Sequence, residues 1–413
     1  MKRTLVLSIS ILAAMNIGKL AASGDLSSTI AELLAVADEG DRQAQLVLGM
    51  RYREGTGVPR DYKEALKWYR KCADQGSAEG MDNVGFMYLR GWGVPENFNI
   101  AAAYFKASAA ENHDQALFNL GNCYFSGQGV EQDYDLAIDS WRRAAEVGHD
   151  DATWRLATLY AAGEALPRNR KKAEELCERI AEKGHPNGVL LLGELYATQG
   201  KQDAARKWWA NAAKHGSAQA SALLEFAAWR YQDPVAGSLA YVEVDHLHQG
   251  WNNCGATSIA MLARHSGSDT PPYDVKRQCP RSPIGKGTDW VDLVAASKKL
   301  KQQWRMEAFP NNDAGFTKGA EVIRQHLDAN RPVVIDFTIT RERNGKEERH
   351  GHTLLVVGYN SGLDQFVLKN PNQPPPGIQL MSAKELKSNW YSGGYSRLAK
   401  GRPARPLIVI ENR

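Results

Sequence analysis

A spacing of 36 residues recurs through the first half of the chain, and it constrains the fold more than any other feature. Gly49, Gly85, Gly121, Ala157 and Gly193 stand at that interval, as do Tyr52, Tyr88, Tyr124, Tyr160 and Tyr196. The same register joins Ala65, Ala101, Ala137 and Ala173, and also Asp61, Asn97, Asp133 and Asn169. Four independent position classes in one register mean a stack of like units, each burying its apolar face only against its neighbours.

The residue types describe the unit. Small residues of the Gly49 class let two helices approach closely, and the Tyr52 class is expected to fill the gap between them. Gly55-Thr56-Gly57-Val58, Gly91-Trp92-Gly93-Val94 and Gly127-Gln128-Gly129-Val130 supply the positive φ angles of an interhelical loop. The Asp61 class then offers a side-chain oxygen to the free N–H groups that open the second helix. That helix carries Ala65, Trp68, Tyr69 and Ala73 on one face and ends near Gly76. Residues 26–40 read as a lone second helix, with Gly40 in register with Gly76. The fifth unit is four residues short, since Ala173 to Ala205 and Gly184 to Gly216 both span 32.

This pattern resembles the Sel-one-like repeats, relatives of the tetratricopeptide repeats, and the resemblance runs over about residues 26–227. It implies a helical repeat solenoid over 26–230 whose curved surface takes a protein partner. A plain spacer is the alternative.

The first 23 residues read as a signal peptide: Lys2 and Arg3, a mostly apolar run from Leu5 to Ala14, then Ala21-Ala22-Ser23. Asn16 and Lys19 cut the apolar run below spanning length, so a cleaved signal is expected rather than an anchor, with no membrane insertion after cleavage. The expected location is the periplasm or the medium. A net charge of +4 gives no reason to expect nucleic acid as a partner. Five cysteines is an odd number for an exported chain, so at least one is free or paired between chains. Cys72, Cys123 and Cys177 fall in repeat helices and read as small buried apolar groups, while Cys279 has no evident role.

The repeat register stops after Trp229, and a linker is expected over 231–240, around Asp233-Pro234-Val235-Ala236-Gly237. Beyond it, residues 241–413 read as an α+β domain. Ser258 to Arg264, Asp289 to Leu300 and Lys318 to Leu327 are helical in pattern. Pro332 to Ile339, Thr353 to Tyr359 and Gln365 to Leu368 are strand-like, with a hairpin signal at Arg343-Asn344-Gly345-Lys346.

Three short segments carry the chemistry. In Gln249-Gly250-Trp251-Asn252-Asn253-Cys254-Gly255-Ala256-Thr257-Ser258, Cys254 stands where a helix begins, and the helix dipole there lowers a thiol pKa. Gln249, five residues earlier, is placed to offer its amide N–H to an oxyanion beside that sulfur. In Gly351-His352-Thr353-Leu354-Leu355 a histidine opens an apolar strand, and in Leu368-Lys369-Asn370-Pro371 an amide ends the next one. Cys, His, Asn is the chain order of papain-like enzymes, in which the third residue orients the imidazole.

From about Tyr241 onward the chain resembles the bacterial peptidase family whose best-known members trim double-glycine leaders from bacteriocin precursors. The resemblance implies a papain-like cysteine peptidase with a polypeptide substrate: Cys254 as nucleophile, His352 as general base, Gln249 as oxyanion donor and Asn370 as the orienting residue, where most of that family has Asp. His350 is the rival for the base, and Asp245-His246-Leu247-His248 offers two imidazoles without a third metal ligand. No phosphate-cradling glycine motif appears, and no cofactor or metal is expected. Two other readings stay open: a silent adaptor that keeps the fold, and a hydrolase of peptidoglycan stem peptides or an acyl transferase of the same fold.

Overall fold

The structure, a computed structural model, describes residues 26–163, 165–231, 239–241, 254–267, 275, 304–343, 346–371, 377–390 and 404–410. The expected signal segment, the 231–240 linker except 231 and 239–240, and the expected helix at Asp289 to Leu300 lie outside them. The chain forms two compact units, Met1–His149 and Asp150–Arg413.

The described residues of the first unit form seven helices in succession: α1 (Leu26–Asp38), α2 (Arg42–Glu54), α3 (Tyr62–Asp74), α4 (Ala78–Arg90), α5 (Phe98–Ala110), α6 (Asp114–Ser126) and α7 (Tyr134–Glu146). The Asp61 class caps the second helix of each pair. Asp61 accepts from the backbone of Lys63 and Glu64, Asn97 from Ile100 at 3.0 Å, and Asp133 from Leu136 at 2.9 Å. The same capping residues donate their own N–H to the Tyr52, Tyr88 and Tyr124 carbonyls at 2.9, 3.0 and 3.0 Å. Each interhelical loop is therefore tied at both ends, and Gly55, Gly91 and Gly127 take the left-handed turn that starts it.

Close packing of each pair rests on a glycine against an aromatic ring. A Cβ on Gly85 would lie 2.8 Å from the Phe105 ring, and one on Gly121 would lie 2.5 Å from Trp141 Nε1. Gly49 faces Tyr69 in the same way. The ring that fills the gap thus comes from the second helix. The Tyr52 class is half-buried, and its carbonyl closes the loop.

The second unit opens with α8 (Asp150–Ala162), α9 (Arg170–Ala181), α10 (Pro186–Thr198), α11 (Gln202–Lys214) and α12 (Ala218–Tyr231). The four missing residues of the fifth unit come out of its loop, for only Gln199, Gly200 and Lys201 join α10 to α11. Lys201 replaces the capping Asp or Asn and makes no side-chain cap, but its N–H still reaches the Tyr196 carbonyl at 2.9 Å.

After the helices come β1 (Leu239–Tyr241), α13 (Cys254–His265), β2 (Trp304–Pro310), α14 (Asp313–Asp328), β3 (Val333–Arg343), β4 (Lys346–Asn360), β5 (Gln365–Lys369), β6 (Ile378–Ser382), α15 (Ala383–Asn389) and β7 (Ala404–Ile410). The strands form one antiparallel sheet in the order β2-β7-β3-β4-β5-β6, with β1 pairing β4 off that path. The expected hairpin joins β3 to β4, with Arg343 opposite Lys346. The whole is a helical repeat solenoid followed by an α+β domain. In the second unit one buried cluster runs from Leu190, Trp209 and Leu223 of the repeat helices to Ile259, Leu354, Leu355 and Leu368. Apolar area of that extent is what makes the last repeats and the sheet one core.

Candidate active site

Helix α13 begins at Cys254, and Gly255 to Ala263 are all buried. A helix stretch buried on every side sits inside a domain rather than on its surface. Its N-terminal turn is held by Ser258, whose Oγ donates to the Thr353 carbonyl on β4 at 3.1 Å. That bond links the turn carrying Cys254 to the residue next to His352.

His352 lies in β4, opposite Phe337 of β3, and is 3% exposed. Asn370 follows the last residue of β5 and is 9% exposed. The register brings them to one face: Val356 pairs with Leu368, and steps of two from those residues reach His352 and Asn370. His352 Nε2 and Asn370 Oδ1 are 2.8 Å apart. An amide oxygen accepts only, so in this arrangement Nε2 carries the proton and donates it. The Asn370 amide is held in that sense, because its Nδ2 donates to Gln379 Oε1 on β6 at 3.3 Å and its backbone N–H donates to the Gly377 carbonyl at 2.8 Å. With Nε2 committed to Asn370, Nδ1 is the ring nitrogen for proton exchange.

Of the residues singled out from the sequence, the structure joins His352 to Asn370 and places Cys254 at the start of α13. Gln249, the Asp245-His246-Leu247-His248 run and Cys279 lie outside the described residues. His350 is in β4 opposite Ile339. Among the described residues no group of three or more His, Cys, Asp or Glu is arranged for a metal ion. Gln379 and Ser258 have positions next to the pair that sequence reasoning did not assign. Ser258 stood within the cysteine segment, but Gln379 had no local signal, since its place depends on its pairing with Leu368.

A model of the Peptidase_C39 like family matches residues 241–397. Models of the Sel1 repeat match residues 42–77, 78–113, 114–149, 150–185 and 190–217. A search of curated proteins found no match. Among solved structures, a Sel1 repeat protein from Oxalobacter formigenes is 28% identical, over 52% of this chain and 89% of that one, with a TM-score of 0.49. The protective antigen c5321 of uropathogenic Escherichia coli, which displays an SLR fold, is 24% identical over 74% of this chain and 61% of its own, with a TM-score of 0.45. The peptidase domain of Streptococcus ComA, a bi-functional ABC transporter, is 15% identical over 42% of this chain and 100% of its own, with a TM-score of 0.28. The chain carries Sel1 repeats over residues 42–217 and a Peptidase_C39-like domain over residues 241–397.

Proposed function

We propose that the C-terminal domain is a working cysteine peptidase that cleaves a peptide bond through a Cys254 thiolate and a His352 imidazolium. The buried 2.8 Å contact between His352 Nε2 and Asn370 Oδ1 carries the reading. A histidine that donates from Nε2 takes up a proton at Nδ1, and a neutral amide suffices to fix the ring. The Ser258 bond to Thr353 supports it further, since it ties the start of the Cys254 helix to the same stretch of β4.

In this mechanism His352 Nδ1 takes the thiol proton, and the Cys254 sulfur attacks the peptide carbonyl. The oxyanion is held by the Gln249 amide, and His352 returns the proton to the leaving amine. Water, deprotonated by His352, then splits the thioester and frees Cys254. The repeats serve as a surface for a protein partner or for the polypeptide substrate. The protein is exported, with residues 1–23 removed; an intact Met1 on protein purified from the cell envelope would contradict this.

The test is capture of Cys254 by a peptide bearing an alkylating group at the scissile position. Labelling of Cys254 that disappears in His352→Ala supports the enzyme. Absence of labelling in folded wild-type protein favours the silent adaptor.

A further inference from the structure

We infer that Glu194, on repeat helix α10, is a positioning residue for the His352–Asn370 pair and acts on it through Lys369; this rests on the peptidase reading above. Lys369 ends β5, and its side chain is 3% exposed. A lysine ammonium so deeply buried needs a counter-charge, because losing water costs it several kcal/mol. Among the described residues that charge is the Glu194 carboxylate, whose Oε1 is 3.9 Å from Lys369 Nζ.

The pair sits back to back with the proposed chemistry. Along β5 successive side chains alternate, so Lys369 points to the face opposite Leu368 and Asn370. Lys369 is the last residue of β5 in register with both neighbours, opposite Leu355 of β4 and Ile378 of β6. Asn370 comes immediately after, where the ladder to β4 has ended. The position of its amide therefore depends on where the strand end is held. The ladder holds it in the plane of the sheet, and the Lys369–Glu194 pair holds it against α10. Helix α10 is itself a fixed wall, since Leu190, one turn before Glu194, shares a buried cluster with Leu354, Leu355 and Leu368. Removing the carboxylate leaves the buried ammonium without its counter-charge and releases the strand end from α10. A hydrogen bond of 2.8 Å between two buried groups does not survive a shift of that end unchanged. The last repeats thereby form part of the catalytic scaffold as well as a binding surface.

The experiment uses the full chain carrying Glu194→Gln, a change at a side chain 23% exposed. Two quantities are read: the rate of iodoacetamide alkylation at Cys254 against pH, resolved by peptide mass, and kcat and KM on one cleavable peptide. Loosening Asn370 weakens support for the imidazolium, so the alkaline limb of kcat/KM moves to lower pH. At the same time kcat falls about 3- to 30-fold while KM holds. The swapped variant Glu194→Lys/Lys369→Glu restores the pair and recovers part of the loss. A merely structural role would lower the melting temperature without moving the limb, and that result overturns the inference. So does a wild-type profile in Glu194→Gln. If wild-type Cys254 alkylates at acid pH no faster than a free thiol, the peptidase reading falls and this inference with it. Fast wild-type alkylation matched by Glu194→Gln removes the inference alone. Should the swap fail to fold, Lys369→Met, which removes the pair from its other side, is expected to move the limb in the same direction as Glu194→Gln; a wild-type limb in folded Lys369→Met overturns the inference.

Discussion

Gly121 lies flat against the Trp141 indole: a Cβ there would be 2.5 Å from Nε1, and that same nitrogen donates to the Phe118 carbonyl at 3.3 Å. The fit leaves no room for a methyl group. Gly121→Ala should destabilise the protein by about 1–3 kcal/mol, the usual cost of overpacking a filled core. One repeat on, Ala157 and Cys177 stand at the corresponding places, and both are buried. A smaller partner there admits the larger residue. Ala157→Gly should therefore cost only about 0.5–1 kcal/mol, the backbone penalty for glycine in a helix. Denaturant titration of the two variants checks the contrast, and an unchanged midpoint in Gly121→Ala contradicts it.

Asp82 on α4 is buried, and burial pushes its carboxyl up to about 6. The hydrogen bond from Asn119 Nδ2 at 2.9 Å and the charge of His113 act in the opposite direction, while Asp114 adds to the rise. The folded value lies above that of an unfolded Asp, about 3.9, so between the two the folded state binds more protons. The stability from this group is full below about pH 4 and is lost as pH rises through about 6. Asp82→Asn keeps an acceptor for Asn119 and removes the titration. Its melting temperature should exceed that of wild type near pH 8 and approach it near pH 4; parallel curves across that range contradict the account.

The cysteines of the repeats are chemically quiet for one shared reason. Burial raises the thiol pKa of Cys72, of Cys177 and of Cys123, the last to about 12. Only a thiolate is alkylated at a useful rate. Iodoacetamide at about pH 7.5 should leave these three unmodified in folded protein and modify them on unfolding. Rapid labelling of Cys123 before unfolding would show that α6 opens to solvent.

Gln379 holds the amide of Asn370, and Asn370 holds His352. Asn370→Asp should keep or raise activity, since a carboxylate supports the imidazolium more strongly and Gln379 can turn its own NH₂ toward it. Gln379→Met should lower kcat with little change in KM, because the Asn370 amide is then free to rotate. Asn370→Ala should cost more than Gln379→Met and less than His352→Ala. An inactive Asn370→Asp that remains folded would rule out this hydrogen-bond arrangement.

The repeats are legible in the sequence because their determinants are local. The capping Asp61 class and the Gly55 class act within a few residues of themselves, so a fixed period exposes them. Period alone pointed to the wrong ring at Gly121: the Tyr124 class keeps tyrosine in every unit, whereas the Trp141 register holds Tyr69, Phe105 and Cys177 as well, yet the helix crossing selects Trp141. The β3–β4 hairpin and the helix at Cys254 were readable from turn chemistry and apolar pattern. The placing of β7 was not, because Leu407 and Ile408 join β3 and β2 only through distant pairing. The triad candidates were visible as an ordered motif, whereas Gln379 meets Asn370 through strand register and Glu194 meets Lys369 through helix packing. Nor does any residue pattern tell that Leu190 and Leu354 share one core.

The most direct measurement is kcat/KM on one cleavable peptide for wild type, Cys254→Ala, His352→Ala, His350→Ala and Gln249→Ala, with thermal melts to confirm folding. Cys254→Ala should abolish turnover, since no other group forms the acyl-enzyme, and His352→Ala should come close to it. His350→Ala should retain most activity, and Gln249→Ala should lose about 10²- to 10³-fold in kcat. Full activity in folded Cys254→Ala, or a dead His350→Ala beside an active His352→Ala, would contradict the account.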